Sequence, residues 1–197
     1  MLVRRVIFLM LAALMLACPA LGEEVYVKAY GVVAFSPNGG CTEALVRRIN
    51  EARSEVLAQC YLFTSKRIAA ALIDAGRRGV KVHVLADPSN LKTNASLTRT
   101  MADKGVDVLY DSAHAIAHNK VMIFDGRAVA TGSFNFTGAA ERSNAENLLI
   151  LEDAGLAALY ARNWREHAAH SKPAEKSAAP AGKAPAKERG DRPWRWW

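Results

Sequence analysis

Apolar positions along this 197-residue chain switch repeatedly between a period of two and a period near 3.6. Residues 25–33 read as a first strand, ended by the turn Ser36-Pro37-Asn38-Gly39-Gly40. Over 42–52 the residues Leu45, Val46 and Ile49 share one helical stripe, and 55–63 is an apolar strand. Ser65 or Thr64 is placed to cap a helix over 68–78, which Gly79 ends. A buried strand over 80–85 closes at Asp87-Pro88, a helix over 96–104 ends at Gly105, and 106–110 is a short strand. Two apolar runs flank Asp125-Gly126, a helical link covers 138–142, 147–151 is a strand, and 156–167 is a last amphipathic helix. Strands alternating with helices predict an α/β fold: a mixed β-sheet flanked by helices on both faces, with one antiparallel hairpin inside it.

The two ends of the chain read differently. Residues 1–22 begin with Arg4-Arg5, run apolar from Val6 to Ala17 and end Ala20-Leu21-Gly22. That is the layout of a secretory signal peptide with cleavage expected after Gly22, so an exported, periplasmic or secreted protein is expected. A lipoprotein site at Cys18 is the alternative, although Met15 stands where such sites carry Leu. Residues 172–197 lose all periodicity, are rich in Ala, Pro and Lys, and end Pro193-Trp194-Arg195-Trp196-Trp197, which reads as a disordered basic tail. Its tryptophans suit a lipid surface or stacking on bases. The stretch between, 23–171, suits a single domain with a core of its own.

Charge changes this picture little. The net +7 becomes +5 without Arg4 and Arg5, and the tail alone holds seven Lys/Arg against three Asp/Glu. The central 23–171 has 17 against 16, so the basic balance is no argument for a nucleic-acid partner there. Of three cysteines, Cys18 falls in the predicted leader, leaving Cys41 and Cys60. A helix climbing roughly 18 Å from Cys41 and a strand returning roughly 17 Å bring Cys60 level with it, so a disulfide is permitted. Two buried free thiols are the alternative.

Chemistry concentrates in His118 to Glu146, HNKVMIFDGRAVATGSFNFTGAAERSNAE. Asp125-Gly126 signals a two-residue hairpin turn. Counting outward from it, Lys120 faces Thr131 and His118 faces Ser133, which predicts His118, Lys120, Ser133 and Asn135 on one sheet surface. An unprotonated imidazole can attack phosphorus, while a fixed cation and neutral donors stabilise the charge that spreads over the non-bridging oxygens. Glu146 is the candidate carboxylate to fix the histidine tautomer. Taken singly, each residue is ordinary: a lone strand histidine usually packs, and Asp-Gly followed by Gly-Ser is hairpin punctuation. The full set on one surface is what points to phosphate chemistry. His114-x3-His118 has the spacing of a helical metal pair, but it lies in a loop-then-strand pattern without a His/Cys cluster, so no metal and no cofactor is expected.

The same residues carry a family resemblance. His118-x-Lys120-x4-Asp125, followed by Gly132-Ser133-x-Asn135, resembles the HxK(x)4D plus GSxN signature of the phospholipase D superfamily, and Glu146 in the run NAEN resembles its small bacterial Nuc-type endonuclease branch. The likeness extends from about Phe35 to about Trp164. It implies a phospholipase D-like α-β-α sandwich and a metal-independent phosphodiesterase. By the resemblance His118 is the nucleophile, Lys120 and Asn135 hold phosphate, Ser133 assists, Glu146 orients the histidine and Gly132 belongs to the structural motif. Asp125 falls in the predicted turn, which favours a structural part for it. DNA or RNA is the favoured substrate, phospholipid the alternative, and a non-catalytic nucleic-acid or membrane-binding protein the third reading.

Counting groups adds a partner. In-line displacement by His118 needs a proton donor opposite it, and neither Lys120 nor Glu146 is suited to that place. No second HxK with a following GSxN occurs; His170-Ser171-Lys172 has only the bare spacing. A homodimer with one shared active site, each chain giving one His118, is therefore expected.

Overall fold

The computed structural model describes residues 27–175. The predicted leader with Cys18 and Gly22, and the Trp-rich end of the tail, lie outside the described residues.

Among the described residues eight strands form one mixed sheet. In chain order they are β1 (Tyr30–Ser36), β2 (Glu55–Cys60), β3 (Lys81–Ala86), β4 (Asp107–Tyr110), β5 (Lys120–Phe124), β6 (Ala128–Gly132), β7 (Glu146–Glu152) and β8 (Lys172–Pro173). They lie side by side as β1-β7-β6-β5-β2-β3-β4-β8. The three strands joined by helices, β2, β3 and β4, run parallel, and the remaining pairings are antiparallel. This follows from connection length: a parallel return needs a crossover, whereas Asp125-Gly126 turns the chain straight back.

Helices cover both faces, as the alternating pattern predicts. Helices α1 (Cys41–Glu51), α2 (Lys66–Arg77) and α3 (Thr98–Asp103) bury Leu45, Ile49, Ile68, Leu72 and Met101 against one face, with Val56, Val84, Met122 and Ala130 beneath them. Helix α5 (Ala154–His170) covers the other through Ala157, Ala161 and Trp164, packed on Leu57, Leu85, Ile123 and Val129. Trp164 Nε1 donates to the Ala58 carbonyl at 2.9 Å, which fixes α5 across the sheet centre. The short α4 (Gly138–Arg142) is capped by Thr137. Among the described residues no helix is long and apolar enough to cross a membrane.

Four expectations are corrected. The first strand lies later in the chain than 25–33, because its partner is β7: Tyr30 pairs with Glu152 and Ser36 with Glu146. The hairpin turn takes in Arg127 as well, so Phe124 pairs with Ala128 and Val121 with Thr131, one residue off the predicted register. Its cause is Asp125, with φ 51°, whose carboxylate is held by the loop between α1 and β2. Cys41 and Cys60 are free, buried thiols, not a disulfide. Cys41 lies beside Glu141, and Cys60 beside Lys120 and Asp87; burial pushes both thiols up, Cys41 to about 11. The sheet also continues past residue 171: Lys172 pairs with Tyr110, Pro173 with Leu109, and Ala174 N donates to Val108 O at 2.8 Å.

Candidate active site

The start of β5, the end of β6 and the start of β7 meet at one end of the sheet, beside the end of β2. There an open cleft of about 480 Å³ is lined by His118, Lys120, Ser133, Asn135 and Glu146, with Tyr160 and Asn163 contributed by α5. A larger cavity of about 600 Å³ lies between α1, α2 and α4; there Glu43 is salt-bridged to Arg67 and Glu141 accepts from Gly40 N and Thr42 N, and no histidine lines it.

The five predicted residues therefore do gather, though not by the predicted route. In the observed register Lys120 shares its sheet face with Met122 and Ala130, and Thr131 lies on the opposite face with Val121. Convergence arises because the chain leaves the ladder on both sides of the hairpin. At Gly132, φ 149°, β6 breaks away across β7; a Cβ there would stand 2.3 Å from the Asn147 carbonyl oxygen. The loop that follows is nailed down by Phe134 and Phe136, both essentially fully buried, with Phe136 stacked edge-on to Phe63 at 5.5 Å. Thr64 N and Ser65 N both donate to Phe136 O. Burying such aromatic rings contributes about 2–3 kcal/mol each, which anchors the backbone on both sides of Asn135. Ser133 Oγ accepts from Asn147 N at 3.1 Å. The Oδ1 of Asn135 is buried without a partner among the described residues, so its amide is not used up by the fold.

On the other side, His118 is exposed at the end of the loop 111–119, its ring 4.8 Å from that of Tyr61. Ala117 N donates to Asp87 Oδ2 at 2.8 Å, so the end of β3 sets where His118 emerges. Lys120 is 8% exposed, and its Nζ donates to the His118 carbonyl at 2.6 Å. Burial pulls the Lys120 ammonium below the ordinary lysine range, and the Glu146 carboxylate works against that pull. Glu146 opens β7, its Oε1 accepting from Asn144 Nδ2 at 3.0 Å; no hydrogen bond links it to the His118 ring in the described chain. An exposed imidazole, a buried cation and neutral donors thus line one open face, with a single carboxylate among the described residues there.

Asp125 is not in the cleft. It sits at the far end of β5, where its carboxylate accepts from Arg53 N, Ser54 N, Ser54 Oγ and Glu55 N at 2.8–3.2 Å. Burial works to raise its pKa, but these donors together outweigh that and bring it to about 2. His114 also turns away from His118, towards Asp111. Sequence reasoning missed Asp87, seen there only as the residue before Pro88, and the α5 pair Tyr160 and Asn163. An Asp at a strand end followed by Pro was the available signal for the first, and the second needed the tertiary fold.

Comparison with known proteins agrees with this geometry. Residues 45–168 match the family described as "Cardiolipin synthase, PLD-like domain". The phospholipase D of Rickettsia conorii (strain ATCC VR-613 / Malish 7) is 45% identical over 130 residues, covering 66% of this chain and 65% of that protein. The mitochondrial cardiolipin hydrolase of Xenopus laevis is 33% identical over 127 residues, covering 62% and 60%. The matched stretch thus spans less than two thirds of either relative. Among solved structures, Nuc from Salmonella typhimurium, a phospholipase D family member, matches with a TM-score of 0.72 at 31% identity, covering 76% of this chain and 100% of that one.

Proposed function

Because the chain belongs to the phospholipase D superfamily, we propose that it is a phosphodiester hydrolase working through a phosphohistidine, with nucleic acid as its substrate. The observation that carries this is the meeting of His118, Lys120, Ser133, Asn135 and Glu146 in one cleft. One ring nitrogen of His118 attacks phosphorus while the bond to the leaving oxygen breaks in line behind it. Lys120 and Asn135 face the non-bridging oxygens, Ser133 assists, and Glu146 turns towards the ring to hold its tautomer. Water then attacks the phosphohistidine, returning the histidine and releasing a phosphate monoester. The cleft holds one carboxylate, so its own charge stabilisation comes from Lys120 and neutral donors, not from an acidic cage for catalytic metal ions.

Nucleic acid is favoured by the match to Nuc over the whole of that chain and by the openness of the cleft. Phospholipid is the second reading, favoured by the 45% identity to a protein named phospholipase D. Purified protein offered single- and double-stranded DNA, RNA, and vesicles of phosphatidylcholine or cardiolipin decides between them: cleaved strands with intact lipid are expected, and the reverse ranking overturns the substrate. Trapping a phosphohistidine by acid-free quench tests the intermediate.

The leaving oxygen still needs a proton. A second chain, related by a two-fold axis, gives its own His118 as the acid across one shared phosphate. The apolar pair Val33 and Phe35 on one face of β1, 57% and 63% exposed, lies beside the strand that carries Glu146 and is suited to be covered by that partner. A dimer by sedimentation at micromolar concentration is expected; full specific activity in a monomer refutes the shared site. Export after cleavage near Gly22 belongs to the same reading, with N-terminal sequencing of the mature protein as its test; a lipid-modified Cys18 is the other outcome.

A further inference from the structure

Away from the cleft, at the end of β4, four side chains with metal-ligating atoms converge. Asp111 follows β4 directly, His114 lies three residues on in the loop that leads to His118, and His167 and His170 are in the last turn of α5. One donor atom from each lies within 4.8 Å of all the others. We propose that Asp111, His114, His167 and His170 form a binding site for a zinc-class transition-metal dication, held by three imidazole nitrogens and one carboxylate oxygen.

Spacing is the first support. His167 Nδ1 and His114 Nδ1 lie 2.7 and 3.0 Å from Asp111 Oδ2, and His170 Nε2 lies 3.2 Å from Oδ1. Around a zinc ion with bonds of about 2.0–2.1 Å, tetrahedral ligand atoms stand roughly 3.3 Å apart. Two nitrogens stand on Oδ2 and the third on Oδ1 at that scale, and no two of the four donor atoms are more than 4.8 Å apart.

Proton counting is the second. The three rings crowd together, with centroids 4.7, 5.3 and 5.7 Å apart. Were all three protonated, three positive charges would face one carboxylate. Were all three neutral, their N–H groups would donate to Asp111, which also accepts from Ala113 N at 3.0 Å; a shift of each proton to the other ring nitrogen gathers three lone pairs beside the carboxylate. A dication uses those lone pairs and needs no extra proton.

Third, the Asp111 side chain is fully buried, with the three rings and Ala113 N around its carboxylate. The carbonyl end of a 17-residue helix, which His167 and His170 terminate, also favours a cation. Three nitrogens and one oxygen select zinc or its neighbours over calcium and magnesium, which take oxygen cages. The histidine side chains are 45%, 17% and 39% exposed, so the ion has a way in.

Such an ion does not touch the reacting phosphate. It clamps the 111–119 loop, whose end presents His118, to α5, which lends Tyr160 and Asn163 to the cleft. It is a positioning device.

The test reads metal, not catalysis, so it stands or falls separately from the proposed hydrolysis. The full chain is stripped with chelator, incubated with Zn²⁺ and gel-filtered, and its zinc measured by atomic emission; Co²⁺ serves as an optical probe. One zinc per chain and the intense visible absorption of tetrahedral Co²⁺ are expected. His170→Ala and Asp111→Asn, each checked for native circular dichroism, are expected to weaken binding at least about 100-fold, while His118→Asn keeps full stoichiometry. Retention of less than about a tenth of an equivalent by the native chain, unchanged binding in His170→Ala, or loss in His118→Asn overturns the site. The first of these results would leave a carboxylate–histidine hydrogen-bond network only.

Discussion

The two ends of β5 carry one sequence motif and do opposite things. At its start, Lys120 and the preceding His118 open into a cleft that Asn135 also lines, its amide oxygen lacking a partner among the described residues. At its finish, Asp125 has its carboxylate filled by three backbone amides and a hydroxyl. A spent hydrogen-bonding group cannot greet a ligand, and an unspent one contributes little to stability. The motif is therefore a five-residue rod with a reactive end and an anchoring end, and substitutions should divide the same way.

The largest effect is expected at the reactive end. His118→Asn should lower kcat on a phosphodiester reporter by at least about 10³-fold with the melting temperature unchanged. Activity within tenfold of native would break the division outright. Lys120→Met should cost about 10²-fold in kcat, while thermal stability holds or rises because a buried ammonium is removed. At the anchoring end the signs reverse. Asp125→Ala leaves four donors unpaired and should cost about 2–4 kcal/mol in urea unfolding, with kcat of the folded fraction within about threefold of native. A stable, inactive Asp125→Ala protein would move that residue into the chemistry.

The smallest effect is a pH slope. The folded Asp125 carboxyl is held at about 2, below its ordinary 3.8. Its contribution is thus complete above about pH 4 and is lost as the pH falls towards 2, a span of order 1–2 kcal/mol. Asp125→Asn should flatten that part of the acid-unfolding curve, leaving the share owed to Asp111, which is lowered in the same sense. An unchanged slope would mean that the donors around Asp125 do not hold it as described.

The same contrast explains what could be read from the chain. Strand and helix identities were legible because each core element shows its period: Leu45 and Ile49 on α1, Ile68 and Leu72 on α2, the unbroken run of β5. The five cleft residues were legible because their types are rare together. The register was not, because it depends on Asp125 reaching residues about 70 positions earlier. Nor was the partnership of His114 with His167 and His170, which only the packing of α5 brings about. Seen in the sequence, His114 lies nearer His118, and H-x2-H at a helix end was its one advertisement. Lys172–Pro173 carries two residues of edge pairing, too short to produce any period.

One pairing also dictates when the protein becomes competent. Glu146 is positioned by Ser36, whose hydroxyl accepts from Glu146 N and donates to Asn144 O, across 110 and 108 residues of chain. The β2–β3 pair, by contrast, joins residues about 26 apart. Contacts that close the longest loops are repaid last, so the parallel half of the sheet should assemble first and the β1–β7 seam afterwards. On refolding, hydrolytic activity is then expected to lag the return of secondary structure, and a chain whose late residues have not yet emerged holds His118 before Glu146 has joined the cleft.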